Sequence, residues 1–340
     1  MKQNNSLVPV TIAGVGKYVP ETIIKNDDIA KLVDTNDEWI TSRTGIKERR
    51  VVSGNETAVS LAVNAANDAL AFAGINPAEI DLVICATSMP DNLYPSSACE
   101  IQADIGAVNA AAFDLSAACS GLIYGLFVAK NFIMSGTYEK ILVVGVDVHS
   151  RFLDWTDRST CILFGDGAGA FIVTKSEDGI NDFLSVDIHA DGSKGKELKI
   201  PLYGKNCPLV EPNDEKKQFV YMNGKEIYKF AINYVPESIL NSLSLAGLSI
   251  DNLDFLIPHQ ANKRIISAIT DRLKLQPDQV ISNLEKYGNT STASIPIAFL
   301  EALENNLIPE SSILALCGFG AGLTWGSAVV RWRAKDKRIK

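Results

Sequence analysis

Residues 73–84 read AGINPAEIDLVI, and residues 246–257 read AGLSIDNLDFLI. The two stretches align without gaps, Ala73 on Ala246 and Ile84 on Ile257. Each runs from the end of a helix into a continuous apolar strand. A second pair, KILVVG from Lys140 and SILALC from Ser312, repeats that spacing to within one position. Any two α/β units share such a pattern, but two matches at nearly one spacing point to duplication. The chain therefore reads as two α/β halves meeting near residue 180, residues 1–180 and residues 181–340.

The surrounding sequence agrees. LVPVTIAGVG, IDLVICATS, KILVVGVDV and GAGAFIVTK are strand-like runs without polar alternation, as expected for sheets covered on both faces. Helix-like segments such as ETAVSLAVNAANDALAFAG lie between them. Residues 182–218 are polar and rich in Gly, Lys and Pro, and most of this stretch reads as a surface excursion early in the second half. The basic tail RWRAKDKRIK reads as disordered.

Composition excludes several classes of function. The 340 residues are 46% hydrophobic and 21% charged, ordinary for a globular protein. A net charge of -8 provides no general basic field for nucleic acid. No run approaches the roughly 20 apolar residues of a membrane span, and the N-terminus reads as a strand rather than an export signal. The six cysteines show no CxxC spacing, so neither a metal site nor a disulfide framework is indicated. Reduced thiols in a cytoplasmic setting fit best.

One cysteine stands where chemistry is possible. In DLSAACSGLIYGL, Cys119 falls between a strand and a helix that is apolar nearly all round. A helix N-terminus stabilises a thiolate and offers N–H groups to an oxyanion. A packed structural cysteine has the same local pattern, so this stretch alone leaves both readings open. There are three histidines. His149 follows a strand and His189 lies near the boundary between the halves. His259, in LDFLIPHQANKRI, ends a buried strand, where α/β proteins place their sites. In the alignment of the two halves it falls opposite Ala86, so it is an addition to the duplicated frame. Asn289, in KYGNTSTASIP, suits either a site or a helix cap. The glycines of CGFGAGLTWGS permit close backbone approach but form no dinucleotide fingerprint.

Taken together, AACSGL, PHQANKRI, YGNTSTASIP and GFGAGLTWGS, with NDEWITSRTGIKERR and FGDGAGA, resemble the β-ketoacyl-acyl-carrier-protein synthase III family. The matches span almost the whole chain in order. The resemblance implies a thiolase-like fold: two duplicated α/β halves with five-stranded mixed sheets in α-β-α-β-α layers. It also implies a catalytic set of Cys119, His259 and Asn289, with the backbone N–H groups of Cys119 and Ala321 as an oxyanion hole. Elongating synthases carry two histidines and 3-hydroxy-3-methylglutaryl-CoA synthases a glutamate, so asparagine at the third position favours synthase III.

The resemblance further implies binding of the CoA thioester by Trp39, Arg43, Arg158, Gly224 and Asn262. It places acyl-carrier protein on Lys229, Gln260, Ala261, Asn262, Lys263 and Arg264. The acyl group falls to Leu163, Phe164 and Tyr94, the last reaching into a neighbouring subunit of a homodimer. No metal or cofactor is implied, only acyl-CoA and malonyl-acyl-carrier protein as substrates. Three positions depart from the commonest pattern: Lys263 where an apolar residue is frequent, Ala321 among the loop glycines, and Tyr94 where phenylalanine is frequent.

Overall fold

The computed structural model describes residues 7–202, 207, 209–210 and 218–338. Besides two short ribbons, the strands form two sheets. The first contains β1 (Val10–Tyr18), β2 (Leu82–Ala86), β3 (Ala111–Leu115), β4 (Lys140–Asp147) and β5 (Gly167–Lys175), in the order β1-β5-β4-β2-β3. The second contains β6 (Phe183–Ala190), β7 (Phe255–Pro258), β8 (Ile313–Gly320) and β9 (Thr324–Arg331), in the order β6-β9-β8-β7.

The two orders match strand for strand, and so do the directions. The pairs β1–β5 and β5–β4 are antiparallel, as are β6–β9 and β9–β8, while β4–β2 and β8–β7 are parallel. The chain from the start of β2 at Leu82 to the start of β7 at Phe255 is as long as that from β4 at Lys140 to β8 at Ile313. At the fifth position the halves diverge. Where the first sheet has β3, the second has a single bridge between Leu256 and Val280, so four strands replace the expected five among the described residues. The cause is local: Pro277 opens a short turn, and just past the bridge the Ser282 hydroxyl and the Asn283 N–H bond to the Gln260 side chain instead of a neighbouring strand.

Among the helices, α1 (Asp37–Thr44) lies near the site described below, and α2 (Ala58–Ala73) and α3 (Ser97–Asp104) pack on the first sheet. Helix α4 (Gly121–Met134) contacts both sheets, which is why it is apolar on nearly every side. Helices α5 (Gly224–Leu245) and α6 (Lys263–Leu273) cover the second sheet, and α7 (Ser294–Glu304) joins α4 in the middle layer. The central core runs through α4 and α7, with Leu122, Leu126, Phe171, Phe299 and Leu316 all fully buried.

Two expectations change. Residues 183–190 are not surface excursion: they form β6, paired along its length with β9. Residues 203–206, 208 and 211–217 of the same stretch lie outside the described residues. The basic tail is also ordered through Arg338. Trp332 packs edge-on to Phe299 at 4.7 Å, Arg333 pairs with Asp178 and Asp182, and Arg338 pairs with Asp68 and Asp336. Apart from Asp336, the carboxylates its cations meet, Asp68, Asp178 and Asp182, are far away in sequence, which composition does not reveal.

Candidate active site

Cys119 lies in a single 3₁₀ turn, Ala118–Ser120, between β3 and α4. Ala118 has φ of +47°, in the left-handed region that costs a non-glycine residue about 1 kcal/mol. Ser291, across the site, also has positive φ, +52°, and its hydroxyl donates to Cys119 Sγ at 3.2 Å. Backbone strain on both sides of one sulfur atom marks it out from an ordinary core cysteine.

The second half approaches from β8. A Cβ on Gly320 would lie 2.8 Å from the Cys119 nitrogen, and one on Gly318 would lie 3.1 Å from Ser120 Cα. Glycine is required at both places because the strand end presses on the backbone carrying the thiol. Only residues 321–323 separate β8 from β9, whereas 148–166 link β4 to β5. The longer link supplies His149, Arg158, Leu163 and Phe164.

His259 directly follows β7 and is 1% exposed. Its Nδ1 lies 2.7 Å from Ser294 Oγ, which also accepts the Gln260 N–H at 3.3 Å. Burial holds the ring's pKa far down, to about 3, and nearby His149 pushes the same way. Asn289 is locked by its backbone between Leu163 and Gly165, and its Oδ1 accepts the Ser291 N–H at 2.9 Å. The Phe164–Asn289 bridge ties the long β4–β5 link to this corner.

Cys119, His259 and Asn289 line one cavity of about 1260 Å³ together with Phe319 and Gly320. Cys119 and Phe164 also line a smaller cavity of about 450 Å³, with Ala321, so the thiol stands between two chambers. The thiol itself overturns one expectation. Burial pushes Cys119 up to about 12, against the downward pull of the Ser291 hydroxyl, so the resting group is a neutral thiol rather than a thiolate stabilised by the helix end.

Toward the solvent-exposed end, the large cavity is lined by Arg43, Gly224, Lys225, Asn262, Lys263 and Arg264. Trp39 is half-buried between two guanidiniums, Arg43 at 4.6 Å and Arg158 at 4.7 Å from its ring centre. Asn262 caps α6 by accepting the Arg264 N–H, and Ala261 lines the same cavity. Lys229 is exposed and pairs with Glu226. Gln260 does not belong to this rim. It is 1% exposed, and its amide bonds Pro258, Ile281, Ser282 and Asn283, so no partner protein can reach it. Leu163 and Phe164 line the large cavity, whereas Tyr94 lies outside it, 87% exposed. The sequence alone marks neither Ser291 nor His149 as a site residue. Only the position of Ser291 two residues beyond Asn289, and of His149 just past a strand end, hinted at them.

Among the described residues, no group of three or more His, Cys, Asp or Glu is placed to hold a metal, and no helix is long and apolar enough to cross a membrane.

A duplicated thiolase-like fold with a buried thiol between two chambers defines a condensing acyltransferase. Residues 113–192 match the family described as 3-oxoacyl-[acyl-carrier-protein (ACP)] synthase III, and residues 243–332 match its C-terminal model. The chain is 47% identical to beta-ketoacyl-[acyl-carrier-protein] synthase III of Natranaerobius thermophilus over 94% of this chain and 98% of that one. It is also 47% identical to the enzyme of that name from Caldanaerobacter subterraneus subsp. tengcongensis, over 94% and 97%. The crystal structure of 3-oxoacyl-[acyl-carrier-protein] synthase III from Aquifex aeolicus VF5 superposes with a TM-score of 0.88 at 42% identity, over 95% of this chain and 100% of that one. The chain belongs to the β-ketoacyl-acyl-carrier-protein synthase III family.

Proposed function

We propose that this enzyme joins acetyl-CoA, or another short acyl-CoA, to malonyl-acyl-carrier protein, releasing CO2 and CoA and giving the 3-oxoacyl-carrier protein that starts a fatty-acid chain. The observation that carries this reading is the place of Cys119 between two chambers, with His259 and Asn289 facing the larger.

The acyl-CoA enters the large cavity, its adenine and phosphates held at the mouth by Trp39, Arg43 and Arg158, with Gly224 and Asn262 along the wall. Cys119 Sγ bonds to the thioester carbonyl carbon, the bond to the CoA sulfur breaks, and the thiol proton ends on that sulfur. The N–H groups of Cys119 and Ala321 stabilise the oxyanion, and the acyl group turns into the smaller chamber past Phe164.

Malonyl-acyl-carrier protein follows along the same cavity. Its acidic carrier meets Lys229, Lys263 and Arg264, which are exposed at or beside the mouth of an otherwise acidic protein. With Asn289 Oδ1 engaged by Ser291, the donor end Nδ2 is the one left to turn to a substrate carbonyl. If the Ser294 hydroxyl donates to Nδ1, His259 carries its proton on Nε2 and is the second donor. Both hydrogen-bond the malonyl thioester carbonyl as CO2 departs; the enolate carbon bonds to the acyl carbonyl carbon, the bond to Cys119 Sγ breaks, and the released thiolate takes a proton from water. A neutral imidazole suits this work, since a donor and not a cation is needed.

A homodimer fits the exposed apolar residues Leu93 and Tyr94 and the edge strand β3, where Phe113 faces solvent. Tyr94 then reaches the partner's acyl chamber. Its place of work is the cytoplasm. The test is incubation with acetyl-CoA and malonyl-acyl-carrier protein: 3-oxobutyryl-carrier protein and CO2 form in equal amounts, and their absence rejects the reading.

A further inference from the structure

The two N–H groups that would stabilise the oxyanion come from opposite halves of the fold, and neither lies in a long regular element. Cys119 rides in the turn Ala118–Ser120, entered through Ala118 at φ +47°. Ala321 opens the three-residue link between β8 and β9 and is followed by Gly322 at φ +136°. Among the described residues no backbone acceptor meets the Ala321 N–H, which leaves it available to a substrate. Two donors serve one oxygen only when each is held about 2.7–3.1 Å from it, so the spacing between turn and link has to be fixed.

Two hydroxyls join these pieces. Ser120 Oγ lies 2.7 Å from the Ala117 carbonyl oxygen and 2.8 Å from Thr324 Oγ1. Thr324 Oγ1 lies 2.9 Å from the same carbonyl and 2.9 Å from that of Ala321. Of the two hydroxyls, Thr324 is the one that reaches both the turn and the link. It is the first residue of β9, and its ladder partner is Gly320, the residue pressed against the Cys119 nitrogen. A left-handed residue such as Ala118 persists where its surroundings over-determine it, and here both hydroxyls converge on the carbonyl just before it.

We propose that Thr324 is a positioning residue for acyl transfer: its hydroxyl, paired with that of Ser120, sets the spacing between the Cys119 and Ala321 N–H groups. The inference rests on the acyl-transfer reading above. Each hydroxyl supplies one proton. Ser120 donates to Thr324 Oγ1 and Thr324 donates onward to the Ala321 carbonyl, a continuous chain from the turn of one half to the link of the other. The Thr324 methyl also lies against Gly322, where an added Cβ would come within 2.8 Å of it. Hydroxyl and methyl therefore have to be removed separately.

The test compares acetyl transfer with alkylation of the same sulfur in the full-length enzyme. Iodoacetamide reacts with Cys119 by displacing iodide and forms no oxyanion, so it reads the sulfur without the two N–H groups. Thr324→Val keeps the shape and removes the hydroxyl. Its single-turnover acylation at saturating acetyl-CoA falls about 100-fold, while the half-saturating acetyl-CoA concentration and the alkylation rate stay within about threefold of native. Thr324→Ser loses the methyl, keeps the hydroxyl and acylates close to the native rate. Ser120→Ala shows the same selective loss, about tenfold, and remains decisive if Thr324→Val does not fold. Native acylation in Thr324→Val or in Ser120→Ala, equal losses of acylation and alkylation, or Thr324→Ser as slow as Thr324→Val each overturns the proposal. Native enzyme that is alkylated but loads no acyl group, acetyl included, rejects the acyl-transfer reading and this proposal with it.

Discussion

The Ser291 hydroxyl donates a hydrogen bond to Cys119 Sγ at 3.2 Å, joining two residues 172 positions apart and from opposite halves of a duplicated fold. It is one of the influences lowering the thiol's pKa against the larger effect of burial. Ser291→Ala therefore raises the pKa of Cys119 further and slows acylation about tenfold. Iodoacetamide labelling against pH checks this. Between pH 7 and 9 the native thiol reacts slowly, and the variant thiol reacts more slowly still. Unchanged labelling profiles would show that the contact does not tune the sulfur.

Gly320→Ala brings a Cβ to within 2.8 Å of the Cys119 nitrogen, so one backbone must move. Displacement of a nucleophile by about 1 Å costs roughly 100-fold in rate. Single-turnover acylation by acetyl-CoA falls by about that factor, while far-ultraviolet circular dichroism stays native. Acylation at the native rate would mean that the strand end does not position the thiol.

His259 and His149 give the fold a defined acid weakness. Burial lowers both rings from 6.5, His259 to about 3, so between these limits the folded protein binds fewer protons than the unfolded chain. Their contribution to stability is flat above pH 6.5 and is lost as pH falls, by up to about 1.4 kcal/mol per pH unit for each ring. Urea midpoints drop between pH 7.5 and 5.5, and the drop is smaller in His149→Leu. Equal drops in the two proteins would contradict it.

Lys130 lies in α4, 8% exposed, with its amino group 3.4 Å from the Leu184 carbonyl and above the Phe183 ring. Burial lowers its pKa, and no carboxylate contributes. Lys130→Met removes a charge held from water and stabilises the protein by about 1 kcal/mol. Thermal melting reads this as a higher midpoint; a lower one would show that the carbonyl contact outweighs the buried charge.

Charge reversal at the rim separates the two substrates. Arg264→Glu raises KM for malonyl-acyl-carrier protein about tenfold, leaves acylation by acetyl-CoA nearly unchanged, and flattens the salt dependence. Equal effects on both steps would place Arg264 in the CoA path instead.

Much of this molecule is legible in its sequence, for physical reasons. Doubly covered strands are continuously apolar, so the repeat of Ala73–Ile84 at Ala246–Ile257 shows through. Cys119, His259 and Asn289 each follow a recognisable boundary. The thiol's protonation was not legible, because a helix end lowers its pKa while enclosure raises it, and enclosure depends on β8 from the other half. His149 looked like any histidine after a strand until its stacking on Phe164 and its unpaired nitrogen appeared. Gln260 and Lys263 are near neighbours in sequence, yet one is sealed under the sheet and the other is exposed. The tail hid Trp332 among cations whose partners stand far off in the sequence, as Asp182 does for Arg333.

Every step of the proposed reaction depends on Cys119 carrying the acyl group. The most direct measurement is peptide-level mass spectrometry after a brief incubation with acetyl-CoA alone, in the native enzyme and in Cys119→Ala. One acetyl thioester is expected on the peptide containing Cys119, discharged by malonyl-acyl-carrier protein, with no adduct in the variant. An acetyl group on another residue, or one retained in Cys119→Ala, would contradict it.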